Sequence, residues 1–81
     1  MTMTTMRFFA AARAAVGTDE STVEAATLDD ALRSVAAADP ERWTALQERC
    51  SYLVDGVTTR DRSTVLAGVG VVDVMPPFAG G

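Results

Sequence analysis

The chain has no histidine, no lysine and no asparagine among its 81 residues, and its one cysteine is Cys50. Without imidazole or ε-amine groups, the commonest general bases, Schiff-base nucleophiles and metal ligands are missing. An autonomous enzyme is not what this inventory builds. A single cysteine cannot close an internal disulfide, so a reducing cytoplasm is the expected setting. No run approaches the ~20 apolar residues that cross a bilayer, so no membrane role is expected. The N-terminal stretch also lacks the basic-then-apolar order of a secretion signal. All seven basic residues are arginines, against eleven acidic ones. A net charge of −4 argues against nucleic acid as a partner and fits docking onto basic proteins.

What is present is enough for one domain. At this length a chain buries roughly 60% of its unfolded surface, which makes it marginal but able to fold alone. Hydrophobic residues at 48% and charged ones at 22% are the proportions of a globular protein rather than a disordered one. Alternation over Met3 to Phe9 places Met6 and Phe8 on one face and Arg7 and Phe9 on the other, which predicts a first strand. Ala10 to Val16 reads as a short helical turn stopped by Gly17, and Glu20 to Ala26 as a weaker, exposed second strand.

Thr27-Leu28-Asp29-Asp30 predicts a helix start: Thr27 can cap free N–H groups and the aspartates suit the positive end of the dipole. Leu28, Ala31, Leu32 and Val35 then form one apolar stripe. Asp39-Pro40 opens a second, shorter helix carrying Trp43 and Leu46. Ser51 to Val54, Asp55-Gly56 and Val57 to Thr59 read as a hairpin, because Asp-Gly tolerates the positive φ of tight turns. Val65-Leu66 is expected to tuck under the sheet. Val69 to Met75 forms the last strand, with Val72 and Val74 inward and Asp73 and Met75 outward.

The end of the chain is its most specific part. Pro76-Pro77-Phe78-Ala79-Gly80-Gly81 follows that hydrophobic strand directly. Two prolines cannot extend a sheet ladder and favour an extended exit. Ala79, Gly80 and Gly81 present almost no side chain, so a terminal carboxylate here fits a channel too narrow for other residues. Glycine also leaves the acyl carbon open to attack.

Together with Arg7-Phe8-Phe9-Ala10, Arg13, Gly17, Thr27-Leu28 and Val54-Asp55-Gly56, this ending resembles the MoaD family of sulfur carriers within the ubiquitin-like MoaD/ThiS superfamily. One difference stands before the last strand, where Gly68-Val69-Gly70 replaces the usual Gly-Asp-Glu or Gly-Asp-Asp. The resemblance implies an α+β, β-grasp (ubiquitin-like) fold: a mixed four-to-five-strand sheet on one main helix, with a second short helix. It implies a domain over residues 1–75 and a flexible tail over 76–81. The function implied is that of the small subunit of molybdopterin synthase. Gly81 would be adenylated, converted to a thiocarboxylate, and would donate sulfur to cyclic pyranopterin monophosphate in molybdenum cofactor biosynthesis.

Partner contacts are then expected from Gly80, Ala79, Phe78, Pro77, Pro76, Met75 and Phe9, with Phe78 as an aromatic anchor and no metal. The implied partners are a MoaE-like large subunit in a heterotetramer, a MoeB-like adenylating enzyme, and a sulfurtransferase or cysteine desulfurase. No cofactor is expected on the chain itself; ATP is used by the activating enzyme. Two alternatives stand beside this one: a carrier for thiamin or cysteine biosynthesis, or a ubiquitin-like protein modifier.

Six residues carry further expectations. Cys50 is expected to be a small buried thiol, and Trp43 to be either a partner surface or a core cap. Arg7 and Asp73 are placed to pair across neighbouring strands, an exposed contact of little stabilising value. Phe9 and Met75, both outward by alternation, are the interface candidates of the sheet face.

Overall fold

Alternating apolar residues and capped helix starts produce a sheet with helices on one face in the computed structural model, which describes residues 3–77. The elements run β1 (Met3–Phe8), α1 (Ala10–Val16), β2 (Glu20–Glu24), α2 (Leu28–Ser34), α3 (Pro40–Gln47), β3 (Ser51–Val54), β4 (Val57–Thr59) and β5 (Val71–Met75). Among the described residues the strands form one five-stranded sheet in the order β2-β1-β5-β3-β4. β1 and β5 are parallel neighbours, and every other pairing is antiparallel. This is the expected β-grasp arrangement.

Strand periodicity sorts the two faces of the sheet. Thr4, Met6 and Phe8 of β1, Val23 of β2, Tyr52 of β3, and Val72 and Val74 of β5 are all buried against the helices. The helices answer with Ala12, Ala15 and Val16, then Leu28, Ala31 and Leu32, then Trp43. Polar atoms inside this core are satisfied. The Thr4 hydroxyl donates to the Val69 carbonyl at 3.0 Å and the Tyr52 hydroxyl to the Gln47 carbonyl at 2.9 Å.

The caps behave as their residue types dictate. Thr27 Oγ1 accepts from the Asp30 N–H at 3.2 Å, and Asp39 Oδ1 from the Arg42 N–H at 3.2 Å with Pro40 in the first turn. Gly17 ends α1 at φ 93 and returns its N–H to the Arg13 carbonyl at 2.8 Å.

Several local expectations shift. Ala10 to Val16 is a full seven-residue helix rather than a turn, because three small or branched side chains pack it on the core. The helix that Pro40 opens has eight residues and is slightly longer than the one opened by Leu28. Val35 lies past the end of α2, in extended backbone at ψ 124, yet its side chain still closes the apolar stripe. Leu66 is fully buried, but Val65 is 64% exposed, since its backbone bridges Thr27 and turns the side chain outward. The last strand starts at Val71. Before it, Gly68 at φ 79 makes the turn in which the Val69 N–H reaches the Leu66 carbonyl at 2.9 Å.

Candidate functional site at the end of the sheet

β5 sits in the middle of the sheet, bonded to β1 on one side and β3 on the other. Its last paired residue is Met75, opposite Ser51. Pairing stops there because Pro76 and Pro77 have no N–H to give. Pro76 is buried and Pro77 exposed, so the first proline is still held by the domain and the second has left it. Phe78, Ala79, Gly80 and Gly81 lie outside the described residues.

Phe9 and Met75 are brought to the same end of the sheet. Phe8 is opposite Val74 in the parallel β1–β5 pair, and Phe9 and Met75 are each one residue beyond it. Phe9 remains extended (φ −120, ψ 150), and the chain then turns into α1 through Ala10 at φ 49, a left-handed conformation unusual for alanine. The Phe9 side chain is 37% exposed and Met75 is half-buried. Arg7 lies in register with Asp73. Its Nε and Nη2 donate to the two carboxylate oxygens, the second at 2.9 Å. The guanidinium carbon is 5.9 Å from the centre of the Phe9 ring. Hydrogen bonding and charge from Asp73 raise the Arg7 pKa above its ordinary value, so the guanidinium stays protonated.

The face of the sheet away from the helices carries this cluster. By register it also includes Met3, 55% exposed, and the half-buried Leu53 and Val71. Glu20, Thr22 and Glu24 of β2 border it, in register with Arg7, Thr5 and Met3, and a partly apolar face around the Arg7–Asp73 pair suits docking to a partner.

Cys50 and Trp43 belong to the interior. Cys50 is 2% exposed, and burial pushes its thiol up to about 11, more than the opposing charge of Arg60 lowers it. Trp43 is 3% exposed and meets the Phe8 ring edge-on at 5.6 Å and 88°, while its Nε1–H donates to the Leu32 carbonyl at 3.2 Å. It is a core residue, not a partner surface.

Two connections had no sequence signal. Arg62 donates to Asp29 Oδ1 at 2.8 Å and to Gln47 Oε1 at 2.9 Å, tying the loop before β5 to α2 and α3. The Asp55 carboxylate accepts from the Gly70 and Val71 N–H groups, tying the β3–β4 turn to the start of β5. Both span too many residues for any local pattern to reveal them. Asp-Gly marked the turn and not the second duty of its aspartate.

A mixed sheet with its first and last strands parallel and adjacent and with helices on one face defines a ubiquitin-like β-grasp protein. The chain belongs to the ThiS family, which matches residues 6–81. It is a small ubiquitin-like protein of the ThiS/MoaD type, a group of sulfur carriers and modifiers. Carriers of this type generally work with adenylating enzymes and with partner enzymes.

The crystal structure of SAMP1 from Haloferax volcanii is similar, with a TM-score of 0.72 and 19% identity over 99% of this chain and 100% of that one. So is the solution structure of small archaeal modifier protein 1 from Methanosarcina acetivorans, at 0.73 and 22% identity over 100% and 98%. At those identities the likeness concerns the fold. No curated protein matches the chain. No helix among the described residues is long and apolar enough to cross a membrane.

Proposed function

We propose that this chain is the sulfur carrier subunit of a molybdopterin synthase, with Gly81 as the residue that bears the sulfur. The observation that carries the reading is the pairing of a family match running through residue 81 with a Pro76-Pro77-Phe78-Ala79-Gly80-Gly81 ending placed directly after the central strand. A carboxylate with a pKa of ~3.5 is ionised at neutral pH and is a poor electrophile. An adenylating enzyme uses ATP to make it an acyl-adenylate, releasing pyrophosphate. A persulfide sulfur attacks the carbonyl carbon and AMP leaves. The product is an acyl disulfide, and a thiol then attacks the sulfur that came from the persulfide's carrier, breaking the S–S bond to leave a thiocarboxylate and a mixed disulfide.

The chain contributes shape to this chemistry. Pro76 holds the base of the arm, Ala79 and Gly80 keep it thin, and Phe78 anchors it in a MoaE-like large subunit, where the sulfur passes to cyclic pyranopterin monophosphate. Phe9 and Met75, beside the arm's root, dock the partner's rim. ATP is bound by a MoeB-like enzyme, and the sulfur comes from a sulfurtransferase or a cysteine desulfurase.

The deciding experiment is intact mass spectrometry after incubation with ATP, a cognate activating enzyme and a sulfur donor. The chain should gain the mass of one oxygen-to-sulfur exchange, localised to Gly81 by fragmentation. Deleting Gly81 should abolish the shift and any transfer to the precursor pterin without unfolding the domain. Adding a residue after it should do the same, since misplacement by about an ångström can already cost ~100-fold in rate. A deletion variant that still supported molybdopterin formation would sink the reading.

The likeness to small archaeal modifier protein 1 of Methanosarcina acetivorans favours a second reading, attachment of Gly81 to amines of other proteins. It predicts high-mass conjugates with an epitope-tagged chain in cells and no transfer to pterin. A carrier for thiamin or cysteine biosynthesis would show the same mass gain as the first reading with a different acceptor.

A further inference from the structure

Every side chain that readily captures an activated acyl group is absent from this chain or withdrawn from solvent. Lysine and histidine do not occur. Cys50 is buried, and a thiol moved from 9.0 to about 11 holds ~100-fold less thiolate near neutral pH. The cationic side chains are all arginines, whose guanidinium stays protonated and offers no lone pair to a carbonyl carbon. Arg13, Arg42 and Arg49 are exposed and in no ion pair among the described residues. They stand at positions where lysine would supply charge equally well and nucleophilicity besides.

We propose that the chain is a donor whose side chains never serve as acceptors: its activated C-terminal acyl group passes to a sulfur nucleophile or to another protein's amine, not to a side chain of a second copy. The inference rests on Gly81 being the activated residue. In the step that is avoided, a side-chain amine nitrogen would bond to the Gly81 carbonyl carbon. The bond to the AMP oxygen would break, AMP would leave with the electron pair, and the amine would give up a proton to water. A carrier with surface lysines is open to this side reaction wherever an activated copy meets a second one. If the acceptor is a protein, this chain offers no side-chain amine on which a second copy could be built.

The test uses the full chain with a 2-mercaptoethanesulfonate thioester at Gly81, made by intein thiolysis. Its α-amine is dimethylated, a reaction with no lysine to compete. Intact mass is followed at high protein concentration and mildly alkaline pH. The wild-type chain should lose its thioester to hydrolysis alone, with no species at the dimer mass. The variant carrying Arg13→Lys, Arg42→Lys and Arg49→Lys raises the free-base fraction about 100-fold or more at each site. It should accumulate dimers whose isopeptide bonds map to those lysines, while its circular dichroism matches the wild type. The thioester lifetime should be the same in Cys50→Ala. Side-chain-linked dimers of the wild type, a triple variant that stays monomeric, or a longer lifetime in Cys50→Ala would each overturn the proposal. The thioester is installed without ATP, activating enzyme or sulfur donor. Self-coupling here and a missing sulfur mass gain there are therefore separate failures.

Discussion

Asp55 and Val71 are joined in both directions: the Val71 N–H donates to Asp55 Oδ1 at 3.0 Å, and the Asp55 N–H donates to the Val71 carbonyl at 2.9 Å. Asp55 is at the tip of the β3–β4 hairpin, with φ 48, and Val71 is the first residue of the central strand. The hairpin therefore sets where β5 begins, and β5 in turn sets where the tail leaves. Asp55→Ala loses the acceptor and keeps the left-handed backbone, so it should cost about 1–2 kcal/mol. Asp55→Asn retains a carbonyl acceptor and tolerates the same φ, and it should remain within about 0.5 kcal/mol of wild type. Urea denaturation of the two variants checks this, and equal losses would mean that the clamp contributes nothing.

Leu32 is fully buried at the centre of the helix stripe. Leu32→Ala should lower stability by about 2–5 kcal/mol, the range for an aliphatic deletion in a core that cannot collapse. A loss below about 0.5 kcal/mol is what a surface site gives, and it would remove Leu32 from the core.

Stability should fall as the pH rises from 9 towards 11. The Cys50 thiol is moved from an ordinary 9.0 to about 11 by burial, so the folded state keeps a proton that the unfolded state releases. The stabilisation is complete below pH 9 and is lost through that interval. Tyr52, shifted upward from 10.0 mainly by burial, extends the decline to higher pH. In Cys50→Ala the slope of unfolding free energy between pH 9 and 11 should be shallower. An unchanged slope would show that the thiol is not shielded. Native Cys50 should also react with a thiol reagent about 100-fold or more slowly than in the urea-unfolded chain.

Phe9 is outside the core and next to the root of the tail. Phe9→Ala should leave the unfolding midpoint unchanged and weaken binding to the enzyme that takes the tail by about 2 kcal/mol, the scale of an aromatic hot spot. Val65→Ala is the control, since Val65 is more exposed and belongs to the loop that bridges Thr27. Titration calorimetry separates the two, and equal affinities for both variants would place the docking surface elsewhere.

Local chemistry determined much of this protein in advance. Period-two alternation put Met6, Phe8, Val72 and Val74 inward, Thr27 and Asp39 marked the helix starts, and Asp55-Gly56 marked the hairpin, because each signal is complete within a few residues. The pairing of Arg7 with Asp73 was also legible, since alternation placed both on the outer face of strands expected to be neighbours. Tertiary structure decided what depends on groups far apart in the chain. It ended α2 before Val35 while keeping that side chain in the core, turned Val65 outward, and buried Trp43 against Phe8. It also gave Asp55 and Arg62 partners 16 and 33 residues away, which no periodicity encodes. A sequence pattern records which face a residue takes within its own element. Which distant backbone or carboxylate meets it there is set only when the elements pack.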